Sequence, residues 1–332
     1  MGTALTYPCS VVLGLLLAAV IAVAQPAGAQ TAAPRFSVID SVVLHDPARN
    51  RDIPIKIYLP VTHDPAPLII FSHGFGSSKD GYVYLAEGWA QAGYAVILPT
   101  HHGGDRAAMQ AKGWQAARTG EAVSPAQLAN NASDVSFIIT SLDAIAHLAP
   151  QVAGRIDATR IGVAGHSMGA GSTLVLAGAT VPGSSAKISD SRIAAFIAMS
   201  PQGMYSSADA HRWDDIMRPT LTMYGSNDLG AQDQPANWRH DPYEHMPAGD
   251  KYNLVVDGAN HFSFADAPDS ALVARVVGRG QTRDINQIHD YVVHTSLIFW
   301  NAYLLHDSNA KSELTKHDLK VSNANIGTLD SK

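Results

Sequence analysis

The stretch that decides the fold is Arg160–Ala177, which reads R-I-G-V-A-G-H-S-M-G-A-G-S-T-L-V-L-A. Its first part, residues 161–164, is a short apolar run without a helical period, which is typical of a strand buried on both faces. Small residues then lead into Leu174 and Val175 at helical spacing. The pattern therefore predicts a buried strand that turns sharply into a helix.

The turn between the two carries the pattern G-x-S-x-G, as Gly165-His166-Ser167-Met168-Gly169. A sharp strand-to-helix turn exposes its middle side chain, and flanking glycines let neighbouring backbone pass without a Cβ clash. Ser167 is therefore predicted to be a nucleophile, the alternative being a glycine-rich turn without chemistry. Met168 begins the helix, so its free N–H would point to the place where an oxyanion forms.

Length and composition describe one large globular domain with a substantial core. The chain has 332 residues, of which 46% are hydrophobic and 16% charged. A net charge of −6 gives no reason to expect nucleic acid as a partner, and no basic run suggests an anionic membrane surface. The oligomeric state is left open.

The first 29 residues are predicted to be a signal peptide. Val11–Ala24 is apolar, and Ala27-Gly28-Ala29 is an A-x-A cleavage sequence, with a second possible site at Ala24. The alternative, an uncleaved anchor, would be short for a membrane span. Cys9, the only cysteine, lies inside this segment, so the exported chain would have no disulfide and no thiolate. We expect a periplasmic or secreted protein without stable membrane association after cleavage.

The remaining chain alternates strands and helices. Phe36–Leu44 and Ile53–Leu59 resemble an antiparallel hairpin, and Pro54 predicts that the second strand is an edge strand or has a bulge. Further buried strands are predicted at Pro67–Ser72, Tyr94–Leu98, Ala194–Ser200, Thr220–Gly225 and, as the last one, Tyr252–Val256. The predicted fold class is α/β, with a mostly parallel doubly wound sheet preceded by the hairpin.

Four segments complete this outline. Residues 101–124 are too long and too mixed for a tight connection and are interpreted as a rim or lid segment. A helix is predicted from the N-cap Ser124 to Leu148, and a final helix ends at Leu305. The main domain would span residues 30–308, and the polar tail 309–332 is expected to be frayed or disordered.

A serine nucleophile needs a base, and the base needs an acid that orients it. In doubly wound sheets these partners follow the serine in the order acid, then histidine, on loops after later strands. Asp228 follows the strand Thr220–Gly225, and His261 follows Tyr252–Val256. The alternative acids are Asp257 and Asp233.

An oxyanion needs two N–H donors. Met168 is the first predicted donor. Phe75, on the loop H-G-F-G after the strand Pro67–Ser72, is the second, and its ring is expected to form one wall of the acyl pocket. No cofactor is predicted.

His101, His102 and Asp105 are close enough in sequence to suggest a metal site. Adjacent side chains diverge in an extended chain, however, and a Ser-His-Asp site needs no metal. No metal is therefore predicted.

Four motifs together resemble the α/β-hydrolase superfamily, and within it the esterases similar to platelet-activating-factor acetylhydrolase and dienelactone hydrolase. They are F-S-H-G-F-G-S-S-K-D-G-Y from Phe71, G-H-S-M-G-A-G-S from Gly165, G-S-N-D from Gly225 and D-G-A-N-H-F-S-F from Asp257. Bacterial cutinases and polyester hydrolases are similar around the serine. Dienelactone hydrolases proper use a cysteine nucleophile, and cutinases commonly have a disulfide; the exported chain could supply neither.

The resemblance implies a serine carboxylic-ester hydrolase that acts through an acyl-enzyme on a small or polymeric ester. The short rim segment favours short acyl chains. An amidase or peptidase using the same three residues is an alternative, as are a polyester hydrolase of the cutinase type and a catalytically silent member of the fold that binds a ligand.

Overall fold

We analysed a computed structural model of the chain, which describes residues 1–3, 35–181, 188–266, 279–317, 319 and 326–332. The predicted signal peptide, apart from residues 1–3, lies outside the described residues. From Arg35 onward the described residues belong to one compact unit. None of the helices in these ranges is both long enough and apolar enough to cross a membrane.

The unit is built on one sheet of nine strands in the order β1-β2-β4-β3-β5-β6-β7-β8-β9. The six strands β4-β3-β5-β6-β7-β8 are parallel to one another, and antiparallel pairs close the sheet at both ends, with β2 beside β4 and β9 beside β8. Their bounds are β1 Phe36–Asp46, β2 Arg51–Pro60, β3 Ala66–Ser72, β4 Ala95–Pro99, β5 Ile156–His166, β6 Ile193–Met199, β7 Thr220–Gly225, β8 Lys251–Val256 and β9 Gly327–Ser331. The predicted α/β fold class is confirmed.

Helices cover both faces of this sheet, which explains why the central strands are apolar on both sides. Their bounds are α1 Val83–Gln91, α2 Arg106–Lys112, α3 Gln115–Arg118, α4 Pro125–Thr140, α5 Leu142–Leu148, α6 Met168–Ala177, α7 Asp241–His245, α8 Ile285–Leu304 and α9 Ser308–Thr315. Buried residues of α4, α5 and α6 share one core cluster with the sheet, and those of α1, α8 and α9 share the other. In β5, Val163 packs into the first cluster and Ala164 into the second.

The hairpin at the start of the sheet differs from the expectation in one respect. β1 and β2 pair antiparallel as predicted, but β2 also pairs with β4, so the strand with Pro54 is not an edge strand. The register shift of the hairpin lies in β1, between Ile39 and Val42. Pro54 is accommodated beyond the end of the β4 pairing, where its carbonyl accepts a hydrogen bond from the Thr100 N–H.

The helix predicted from Ser124 begins as expected, because the Ser124 side chain accepts from the Gln127 N–H and Pro125 is the first helical residue. It does not continue to Leu148 as one helix. α4 ends at Thr140 and α5 begins at Leu142.

The expectation of a frayed C-terminal tail is wrong for much of the stretch. Residues 308–315 form α9, and β9 pairs antiparallel with β8. Leu314 and Leu329 are buried in the second core cluster, which anchors these polar segments through a few apolar side chains. β8 is therefore not the last strand.

Candidate active site

Ser167 lies at the tip of the turn between β5 and α6. Its backbone has φ 55° and ψ −113°, a conformation that non-glycine residues rarely adopt. A Cβ on Gly169 would lie 2.0 Å from the Ser72 carbonyl oxygen, and one on Gly165 would lie 2.4 Å from the Gly169 oxygen. Both glycines are therefore required for the close approach of β3, β5 and α6.

The structure brings Ser167, His261 and Asp228 together in one hydrogen-bonded chain. The His261 Nε2 lies 3.0 Å from the Ser167 Oγ, and the His261 Nδ1 lies 2.9 Å from the Asp228 Oδ1. Asp228 follows β7, and His261 begins a short 3-10 helix, His261–Phe264, after β8. The carboxyl ends of neighbouring parallel strands meet at one edge of the sheet, which explains the convergence of these loops.

The two alternative acids lie elsewhere. Asp257 pairs with Arg283, whose Nη2 is 2.7 Å from the Asp257 Oδ2. Asp233 is exposed in a turn with φ 63°. Among the described residues, Asp228 is thus the acid that contacts the imidazole.

Asp228 is fully buried, and three groups surround its carboxylate. Ser200 donates from its Oγ to the Asp228 Oδ2 at 2.5 Å, and the Arg239 Nε lies 2.6 Å from the Oδ1. Burial acts to raise the pKa of Asp228, but the charges of Arg239 and His261 outweigh it and lower the pKa to about 2. The carboxylate therefore stays ionised at neutral pH.

Arg239 was not predicted from the sequence. It is 2% exposed and donates to the carbonyl oxygens of Ser200, Pro201, Asp228 and Leu229. Its Nη2 lies 3.0 Å from the His261 Nδ1. This contact is not a hydrogen bond when that nitrogen carries the proton donated to Asp228, the arrangement that leaves Nε2 free to accept from Ser167. No motif marks Arg239, since its partners, the Asp228 carboxylate and four backbone carbonyl oxygens, are brought together only by the fold.

The two predicted oxyanion donors also lie at this site. In the described part of the chain, neither the Phe75 N–H nor the Met168 N–H has a protein acceptor. The Gly74 carbonyl accepts from the His73 Nδ1–H at 2.8 Å and from the Ser77 N–H at 3.1 Å. Because the C=O and N–H of a trans peptide point in opposite directions, these two bonds aim the Phe75 N–H away from them.

A buried network stands behind the loop that carries Phe75. The His101 N–H donates to the His73 Nε2 at 3.0 Å, which leaves the proton of a neutral His73 on Nδ1, facing Gly74. Burial and the neighbouring His101 lower the pKa of His73 to about 3, so the ring is neutral at pH 7. His101 in turn contacts the Ser72 Oγ at 3.1 Å and the Asp134 Oδ2 at 2.9 Å.

The three residues considered as metal ligands, His101, His102 and Asp105, lie in different surroundings. His101 is fully buried against Asp134, whereas the His102 side chain is 80% exposed. Asp105 caps α2 by accepting from the Ala108 N–H. The three side chains therefore do not converge on one position.

A second relay joins the Phe75 loop to the loop of His261. The Gly74 N–H donates to the Tyr82 hydroxyl at 3.1 Å, and this hydroxyl lies 2.8 Å from the His166 Nδ1. The His166 Nε2 lies 3.0 Å from the His261 carbonyl oxygen. Burial lowers the pKa of His166 well below its usual range, so a neutral ring accepts from Tyr82 and donates to His261. The G-x-S-x-G pattern leaves its second position open and gave no sign of this role.

A cavity of about 540 Å³ lies over Ser167. The predicted rim segment forms α2, α3 and a 3-10 helix, Glu121–Val123, and the Gly76 N–H donates to the Gly104 oxygen at its start. The segment contributes six lining residues, Met109, Trp114, Ala117, Arg118, Ala122 and Val123. Phe75 also lines the cavity, as predicted, beside His261.

A mostly parallel sheet covered on both faces, with a serine on the sharp turn between a central strand and a helix, defines the α/β-hydrolase class. Within that class, a family model described as "PETase: PET hydrolase-like" matches residues 64–279. The chain therefore belongs to the PET hydrolase-like family.

Curated proteins with similar sequences agree with this assignment. The chain is 33% identical to "Putative esterase YitV" of Bacillus subtilis over 116 residues, 34% of this chain and 39% of that protein. It is 27% identical to "Cutinase est1" and 28% identical to "Cutinase est2" of Thermobifida alba, each over 210 residues and 62% of this chain. The matched region covers 57% of the length of the first cutinase and 56% of the second, so the chain spans just over half of each of these proteins.

Proposed function

We propose that this protein is an exported serine carboxylic-ester hydrolase that acts on short-chain acyl esters through a Ser-His-Asp triad and an acyl-enzyme. The observation that carries the proposal is the unbroken contact from the Ser167 Oγ through His261 to the ionised Asp228, with Ser167 and His261 lining one cavity. Export rests on the sequence of residues 1–29 alone.

The chemistry follows from the positions of the protons. The His261 Nε2 takes the proton of Ser167 while the Oγ attacks the ester carbonyl, and Asp228 stabilises the imidazolium that forms. His261 then gives the proton to the departing alkoxide, which leaves as the alcohol. A water molecule, deprotonated by the same nitrogen, attacks the acyl-enzyme and releases the carboxylic acid.

The negative charge that develops on the carbonyl oxygen is assigned to the amides of Phe75 and Met168. Both lack a protein acceptor among the described residues, and Met168 is the first residue of α6. A helix N-terminus favours an anion. Loss of one such donor typically costs about 2.7–4 kcal/mol of transition-state stabilisation.

Substitution of the nucleophile tests the proposal directly. Ser167→Ala should lower kcat for 4-nitrophenyl acetate by about 10⁶ without a change in the melting temperature that would indicate unfolding. Ser172→Ala is the matched control, because Ser172 is also on α6 but its Oγ donates to the Met168 carbonyl oxygen instead of facing the cavity. Near wild-type activity in Ser167→Ala would refute the triad.

The substrate range needs a separate measurement. We expect kcat/KM for 4-nitrophenyl esters to be highest for short acyl chains, because the rim segment of residues 101–124 is short and supplies no large apolar cap for a long acyl chain. Membership in the PET hydrolase-like family favours a second candidate, hydrolysis of a polyester. Release of soluble acid from a polyester film, at rates comparable with the small esters, would support that candidate, and a maximum at long acyl chains would overturn the short-chain expectation.

A further inference from the structure

The charges that line the catalytic cavity are unbalanced. Its ionisable lining residues, tyrosines aside, are Arg118, Arg239, His166 and His261, and no Asp or Glu is among the lining residues that the structure describes. The rest of the lining is largely apolar, including Met109, Val123 and Leu229. His166 is neutral and Arg239 is paired with the buried Asp228, so the uncompensated charge of the lining is that of Arg118. A cationic group in an apolar cavity without a lining carboxylate favours a ligand that brings its own negative charge.

The two arginines differ in what they can offer to a ligand. Arg239 is buried and is committed to Asp228 and to four carbonyl oxygens. The Arg118 side chain is exposed and has no ion pair with any described residue. Glu121, three residues further along the chain, pairs with Lys112 at 2.9 Å. Arg118 is therefore the guanidinium in this lining that remains available.

Two contacts fix the backbone around Arg118, one with the loop after Asp228 and one with the loop of His261. The Gln232 Nε2 donates to the Arg118 carbonyl oxygen at 2.7 Å, which ties the end of α3 to the loop that follows Asp228. Trp114, at the start of α3, packs edge-on against Phe262 with ring centroids 5.7 Å apart. α3 thus lies between the loops that carry the acid and the base, and Arg118 is presented from a fixed backbone.

We propose that Arg118 binds a free carboxylate on the substrate, so that the preferred substrates are esters carrying a second, unesterified acid group, such as half-esters of dicarboxylic acids. The proposal rests on the proposed ester hydrolase function and names its substrate class. A guanidinium matches the two oxygens of a carboxylate with two parallel hydrogen bonds. The apolar lining would hold the body of such a molecule while Ser167 attacks its ester.

Two pairs of esters test this and distinguish which side of the ester bears the charge. Mono-(4-nitrophenyl) adipate against its methyl ester places the carboxylate on the acyl side. 4-Acetoxybenzoate against methyl 4-acetoxybenzoate places it on the leaving group. Arg118→Gln should lower the ratio of kcat/KM for the charged over the neutral ester by about tenfold or more in one pair, mainly through KM. Arg118→Lys should retain part of the ratio.

Arg106→Gln is the matched control, because Arg106 lies in the same rim segment and is exposed but does not line this cavity. It should leave both ratios unchanged. The proposal is overturned if Arg118→Gln leaves both ratios at the wild-type value, or if Arg106→Gln lowers them equally. If the wild-type protein hydrolyses none of the four esters, the ester hydrolase function fails and the proposal fails with it; hydrolysis with unchanged ratios refutes the carboxylate site alone.

Discussion

At the scale of single residues, His73 does not line the cavity but contacts the loop that carries the proposed oxyanion donor Phe75. Its Nδ1–H holds the Gly74 carbonyl and so orients the Phe75 N–H. His73→Leu removes the donor, and we expect kcat for a short-chain ester to fall about tenfold to a hundredfold with little change in KM, less than the loss of an entire oxyanion donor. His73→Asn, whose amide nitrogen can replace Nδ1, should keep most of kcat. Equal losses in both variants would contradict the positioning role.

The same residue makes a prediction about pH. Burial lowers the pKa of His73 to about 3 from its ordinary 6.5, so between these values the unfolded chain binds a proton that the folded chain does not. The free energy of unfolding therefore falls as the pH drops below 6.5, by about 1.4 kcal/mol per pH unit for this group. Measured by urea denaturation, the free energy of unfolding of His73→Asn should fall between pH 7 and pH 5 by about 2 kcal/mol less than that of the wild type.

The residues of the site differ in how readily they can be predicted from the sequence. Ser167 was predictable because a local pattern encodes its turn, and Asp228 and His261 because each follows a recognisable strand. Arg239 and His166 contact backbone carbonyls of other loops as well as the Asp228 and Tyr82 side chains, and these partners come together only in the folded chain. Ser200 directly follows β6, a position that could have drawn attention to it.

At the scale of elements, the close packing of α6 against β3 keeps Ser167 next to the Phe75 loop. Gly169→Ala would place a Cβ 2.0 Å from the Ser72 carbonyl oxygen, which is backbone and has no room to move. We expect the free energy of unfolding to drop by about 1–3 kcal/mol or more, as for other overpacked cores. Urea denaturation of the purified variant provides the measurement.

Gly171→Ala is the control for this substitution, since it adds the same methyl group to the same helix. The atoms nearest to its Cβ would be the ends of the Gln202 and Leu128 side chains, each at 2.9 Å, and these can shift. Alanine also favours a helix interior over glycine by about 1 kcal/mol. A Gly171→Ala variant as unstable as Gly169→Ala would show that the helix, and not its contact with β3, is sensitive.

Element boundaries were the least predictable part of the fold. The apolar stripe from Leu128 to Ile145 continues across the break at Ser141, because α4 and α5 bury the same face in one core cluster. A periodic apolar stripe indicates which side of a helix is buried but does not indicate where one helix ends and the next begins. The prediction that the strand with Pro54 is an edge strand was wrong for a related reason. The missing N–H of a proline matters only where a neighbouring strand would accept a hydrogen bond from it, and the pairing with β4 ends at Ile55.

At the scale of the whole molecule, the two edge strands of the sheet, β1 and β9, come from segments that are far apart in the sequence. The polar composition after His306 predicted disorder, yet β9 pairs along the whole of β8 apart from Lys251, and β8 leads directly into the loop of His261. Composition averages over a segment, whereas two or three apolar side chains are enough to dock it. Ile326 and Leu329 are each 6% exposed in this position.

The contribution of this last strand is measurable. Leu329→Ala removes a buried side chain of the second core cluster, and we expect the free energy of unfolding to fall by about 2–3 kcal/mol, with a lower melting temperature. Thr328 is next to Leu329 in the same strand but is exposed, so Thr328→Ala should change the free energy of unfolding by no more than about 0.5 kcal/mol. If the segment were frayed, the two variants would behave alike. Because the loop of His261, the proposed base, follows β8, removal of residues 326–332 should lower kcat as well as the free energy of unfolding, whereas removal of a tail outside the sheet would leave both unchanged.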